Sequence, residues 1–147
     1  MEIKEAIQHN YLVRGLSSDD VEAIAKLAEK RSFRGGDTIV RQFGADSDLM
    51  IILDGSARIN TFSGDMIAEV GPGSLIGEVS LIDDQPRSAT VVSVGGTETV
   101  VIPCDRLKAL MNDRPGIELV ILRNLSKVLC SRLRSANVQL DSVMAKP

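Results

Sequence analysis

Residues 77–90 read GEVSLIDDQPRSAT, and this stretch places, in register, the parts that an anionic, sugar-bearing ligand needs. Gly77 permits a positive φ and a close approach of backbone to ligand. Val79 opens a short helical turn to Asp83, and the first N–H groups of that turn, Ser80 among them, would face an anion. Arg87 offers a charge-assisted contact to a phosphate, worth ~1.5–3 kcal/mol. Ser88 and Ala89 follow it as small residues that leave the backbone accessible. Glu78 is acceptor-only when ionised and suits a hydroxyl donor such as a ribose 2′-OH. A carboxylate set against a phosphodiester is otherwise unfavourable, which puts Glu78 on the sugar. The plainer reading of the same residues is a surface ion pair between Glu78 and Arg87 across a loop, with the glycines only making turns. The whole string in register favours the ligand.

Three sections of chain must position these residues. In the first, residues 1–31, the pattern is helical. Ser17 stands as an N-cap with acidic Asp20 three residues on, Leu16 and Val21 are placed as a hydrophobic staple, and Val21, Ile24, Ala25 and Ala28 recur at helical spacing. In the second, residues 32–103, the texture changes. Ten of the twelve glycines lie between Gly35 and Gly96. They separate short β-branched runs at 38–41, 49–53, 57–62, 66–70, 75–76, 89–94 and 99–102. Seven or eight such strands predict a small barrel or double-sheet jelly roll. The runs Val91, Val92, Val94 and Val100, Val101, Ile102 are continuous enough to predict burial on both faces. The third section, 104–147, is helical again. Cys104 or Asp105 can cap a short helix through Met111, and Pro115-Gly116 ends or breaks it. Leu122, Leu125, Leu129, Leu133, Ala136, Leu140 and Val143 then mark an amphipathic helix of about seven turns. The fold class expected is mainly β: a jelly-roll β-barrel flanked by N-terminal helices and a long C-terminal helix.

Composition narrows the function. The 147 residues carry a net charge of −3, with 44% hydrophobic and 25% charged residues, enough for a core and for solubility. Acidity argues against nucleic-acid binding over the whole surface, and 3% aromatics with no Trp leave no stacking platform for single strands. Cys104 and Cys130 lack metal-site spacing and fit a reduced cytosol. No apolar run approaches the ~20 residues of a membrane span, and the N-terminus has no signal-peptide core. A cytoplasmic protein is expected.

The 77–90 string closely resembles the phosphate-binding cassette of the cyclic-nucleotide-binding domain family, Gly-Glu-x-Ala/Ser-Leu, a spacer, then Pro-Arg-small-Ala-x-Val. Gly77, Glu78, Ser80, Leu81, Pro86, Arg87, Ser88, Ala89, Thr90 and Val91 match it. The similarity extends over residues 12–137 and includes Gly36-Asp37 and the Asp54-Gly55 turn. It implies that Arg87 and the N–H groups of Ser80, Ser88 and Ala89 hold a cyclic phosphate, and that Glu78 with Gly77 holds the ribose. It also implies that the last helix covers the purine. Aligned on Arg132-Leu133, that helix brings Ala136 and Asn137 near the base, where the Asn137 amide could read a purine edge. Ser88 is compatible with cAMP or cGMP; cAMP is favoured. Arg123, Lys127, Arg132 and Arg134 give the helix a basic face, read as solvated.

The expected function is a sensor, similar to the sensory domain of catabolite activators, whose occupied cassette repositions the C-terminal helix. No cofactor or metal is expected beyond the nucleotide ligand. The leucine stripe predicts a homodimer, with a downstream protein partner still to be identified. Catabolite activators continue into a helix-turn-helix, whereas this chain ends at Pro147, so no DNA-binding domain is expected. An enzyme on a cupin-like jelly roll is disfavoured, because His9 is the sole histidine and lies outside the β-rich section. The remaining alternative is a dimeric docking protein with a vestigial or differently liganded pocket.

Overall fold

A computed structural model describes residues 2–40, 48–60, 66–83 and 89–145. Five α-helices, one 3₁₀ turn and eight strands are present among them. The chain opens with α1 (Ile3–Gln8), a 3₁₀ turn at Tyr11–Val13 and α2 (Ser18–Ala25). The Ser17 hydroxyl accepts the Asp20 N–H at 3.2 Å, the N-cap expected from sequence.

The strands are β1 (Glu29–Phe33), β2 (Thr38–Val40), β3 (Leu49–Asp54), β4 (Ala57–Asn60), β5 (Met66–Val70), β6 (Leu75–Ile76), β7 (Thr90–Ser93) and β8 (Thr97–Ile102). They form two antiparallel sheets, ordered β1-β8-β3-β6 and β2-β7-β4-β5. This is the double-sheet arrangement of a jelly roll, with α3 (Glu78–Asp83) inserted between β6 and β7.

Period-two alternation explains why β3 and the second half of β8, at the centre of the first sheet, read as unbroken apolar sequence. Leu49 and Ile51 of β3, with Val100 and Ile102 of β8, join a cluster that includes Leu12, Val21, Ile24 and residues of the C-terminal helices. Their neighbours Met50, Ile52 and Val101 point the other way and pack with Ile39, Val40, Ala57 and Val91 of the second sheet. One face of this sheet is roofed by helices and the other by strands. Among the described residues the second sheet has no such helical roof. In β7 burial alternates, and Val94 just beyond it is 41% exposed, so the double burial expected of that run does not occur.

Two boundaries depart from expectation. Strand pairing begins at Glu29, inside the stretch read as helical through Arg31. The strand Glu29–Phe33 is the outer edge of its sheet, with four exposed residues, and charged side chains suit such an edge. They also erase the apolar alternation by which a strand is recognised. At the other end, neither Cys104 nor Asp105 caps α4 (Cys104–Asp113); Pro103 occupies the cap without a side-chain bond. Pro115-Gly116 does not break a helix but starts one, α5 (Pro115–Met144), with the proline in the first turn where its missing N–H costs nothing.

Candidate ligand site

Gly77 closes the path from β6 into α3 with φ +90°, a conformation that a side chain would strain. The turn delivers Glu78 as the first residue of α3, followed by Val79 and Ser80 in its first turn. Glu78 is only 6% exposed. It is therefore not a surface residue, and the plain reading of this carboxylate as part of an exposed ion pair fails. A buried carboxylate requires a counter-charge or hydrogen-bond donors. Arg132 of α5 supplies both, its Nη1 donating to Glu78 Oε1 at 2.6 Å. Arg132 is itself 57% exposed at its side chain, so solvent screens part of that attraction.

This pair stands at a cavity of about 710 Å³, within the range of small-molecule sites. Ile59 and Ile67 of the second sheet form one wall, Leu75 and Ile76 another, and Tyr11 closes it from the N-terminal side. The volume is thus mostly apolar with an acid and a guanidinium at one end. A second concavity, about 750 Å³, is lined entirely by residues of α5 and encloses nothing.

Tyr11 is held in place from two directions. Asn10, buried and preceding it, accepts the Leu12 N–H at 3.0 Å and donates to Gly73 O at the cavity edge at 3.1 Å. From the other side Asn124 of α5 donates to Leu12 O at 2.9 Å and Arg14 O at 3.0 Å. The 3₁₀ turn is thereby tied to the cavity rim and to α5 at once. The Tyr11 phenol ionises above its ordinary range, chiefly because it is buried and further because of the negative Glu78, with Arg132 opposing.

Of the site residues expected from sequence, Gly77, Glu78, Val79 and Ser80 sit together at the mouth of α3. Ala89, half-buried, immediately precedes β7. Arg87 and Ser88 lie outside the described residues. Asn137 is exposed and does not line the cavity. Five residues past Arg132 it is rotated by roughly 140° around the helix, so the two side chains face different ways. Arg132, read from sequence as part of a solvated basic face, is instead the partner of Glu78. One signal for it exists: it falls seven residues after the buried Leu125, on the same helical stripe, where a charge is out of place unless paired.

The sequence profile of the cyclic nucleotide-binding domain matches residues 30–114. Among curated relatives, the Cyclic AMP receptor protein of Thermus thermophilus is 31% identical over 134 residues, covering 88% of this chain and 60% of its own. Glutaminase 2 of Bradyrhizobium diazoefficiens is 27% identical, covering 98% of this chain and 23% of its own. This chain therefore spans less than two thirds of either relative's length. A cyclic nucleotide-binding domain from Methylobacillus flagellatus KT superposes with a TM-score of 0.80 at 25% identity, covering 99% of this chain and 84% of that one.

Proposed function

The chain belongs to the cyclic nucleotide-binding domain family, and from that premise we propose a cAMP-gated module whose ligand competes with Arg132 for Glu78. The observation that carries the proposal is the pairing of buried Glu78 with the half-exposed Arg132 beside the cavity. A ribose hydroxyl donating to Glu78 would replace the guanidinium, and Arg87 with the first N–H groups of α3 would take the cyclic phosphate. The apolar wall at Ile59 and Ile67 suits a purine face. Because Arg132 rides on α5, the exchange would loosen the distal half of that helix. A ligand shifts such an equilibrium only by binding one helix position better than the other, and competition for one carboxylate supplies that difference. Preference for cAMP over cGMP draws support from the likeness to the Cyclic AMP receptor protein of Thermus thermophilus.

As a regulatory module the domain would perform no reaction of its own, its output being the position of α5. Leu133, Leu140 and Val143, all more than half exposed, favour self-association along that helix or docking to a downstream protein. Sedimentation at two concentrations tests the former.

Calorimetric titration with cAMP and cGMP tests the main proposal. Binding at micromolar or tighter, about −8 kcal/mol, is expected with cAMP, weaker with cGMP, and lost in Arg87→Ala. A folded protein that gives no heat with either nucleotide would sink it and favour the docking protein with a differently liganded pocket.

A further inference from the structure

One polar group on the cavity wall is left unpaired while Arg132 holds Glu78. Tyr11 lines the cavity together with Glu78 and Arg132. Its hydroxyl is shut off from solvent, and among the described residues it has no hydrogen-bond partner. Buried phenols nearly always find a partner, because an unmade bond leaves the full cost of desolvating the O–H. Nor is the residue loosely placed: Asn10 and Asn124 fix the turn that carries it from both sides. Glu78 and Arg132 both act on its ionisation, in opposite directions, so it stands within reach of their charges.

We infer that Tyr11 is the second partner of Glu78: when Arg132 leaves the carboxylate, the Tyr11 hydroxyl donates to it and holds it oriented for the ribose. The inference rests on the nucleotide reading of the site and extends it by a residue. Tyr11 acts through Glu78 and is a positioning residue. With Arg132 engaged, the carboxylate is satisfied and the phenol is not; with Arg132 released, the phenol is satisfied as well. The unpaired hydroxyl therefore biases the site towards the released state and lowers the cost that the ligand, through its own preference for that state, must offset.

The sequence provides the reporter. It contains one tyrosine and no tryptophan, so tyrosine emission comes from Tyr11 alone. A phenol hydrogen-bonded to a carboxylate emits differently from an unpaired one. In Arg132→Leu, without nucleotide, the emission should move in the direction that saturating cAMP moves it in the unaltered protein. Adding Glu78→Leu to that variant should reverse the change, which general loosening of the helix would not do. Emission that is the same with and without Arg132 overturns the inference. In Tyr11→Phe, nucleotide affinity should fall roughly three- to tenfold, the span of one modest hydrogen bond. Its ligand-free thermal unfolding should be unchanged or raised. Affinity equal to that of the unaltered protein overturns the role of Tyr11 while leaving nucleotide binding intact. Should the unaltered protein bind neither nucleotide, the reading of the site falls, and the emission of Arg132→Leu still decides whether Tyr11 and Glu78 pair.

Discussion

Along α5 the first half and the second meet opposite surroundings. Ile117, Ile121 and Leu125 are fully buried against the helical roof of the first sheet, and Asn124 is bonded to the 3₁₀ turn. From position 130 to 145 every residue is exposed, Leu133, Leu140 and Val143 included. Both halves are helical, so local propensity does not separate them; what they pack against does. The first half is part of the core, each buried Leu or Ile contributing ~1.5–3 kcal/mol relative to exposure. Among the described residues, the polar tie of the second half to the rest of the domain is Arg132 on Glu78 of α3. Segments with few buried contacts open first, and here that segment is latched to the carboxylate that we propose as the ribose partner.

The largest effect that can break this contrast is a matched deletion. Leu125→Ala should cost ~2–5 kcal/mol of stability, as core truncations do, whereas Leu133→Ala should stay within ~0.5 kcal/mol for the monomer. Urea unfolding of both variants at low concentration checks it, and equal losses would erase the distinction between the halves. Next, Asn124→Ala leaves Leu12 O and Arg14 O without their donor and should cost ~1–2 kcal/mol, two ordinary hydrogen bonds. A variant as stable as the original would mean that the turn is not anchored to α5.

A smaller effect sharpens the picture of the latch. Burial and the charge of Glu78 keep Tyr11 neutral beyond the ordinary tyrosine range near 10. The folded protein therefore holds that proton more tightly than the unfolded chain. This contribution is complete below pH ~10 and is lost as pH rises through the raised native value. Stability measured across that window should fall in the unaltered protein and lose that part of its slope in Tyr11→Phe. Smallest of all, Asn137→Ala should leave nucleotide affinity within about twofold, since its side chain faces away from the cavity. A tenfold loss in calorimetry would place the distal helix over the purine instead.

What could be seen in the sequence was what is local. Ser17 caps the helix it was expected to cap, and Gly77 through Ser80 form the turn and helix start that their order implied. The apolar run Val100, Val101, Ile102 of β8 announced burial on both faces, whereas the similar run at Val91, Val92 and Val94 is not buried that way. What was hidden depends on residues distant in sequence. Glu78 and Arg132 are 54 positions apart, and an arginine on a basic helix face is ordinarily solvated. Asn124 meets Leu12 across 112 positions. Tyr11, an isolated aromatic outside any periodic pattern, gave no hint that it lines the same cavity as Glu78. The β1 strand was concealed by its own charges, which protect a sheet edge and remove the alternation that identifies a strand.

The central claim is that nucleotide at Glu78 releases the distal half of α5. Spin labels at Gln139→Cys and Arg58→Cys, in a Cys130→Ser background that leaves only the buried Cys104, read the distance from distal helix to second sheet. Saturating cAMP should shift and broaden that distance distribution, and Arg132→Leu should produce a similar change without nucleotide. Calorimetry on the same labelled protein showing cAMP bound, with the distribution unmoved, would contradict the account.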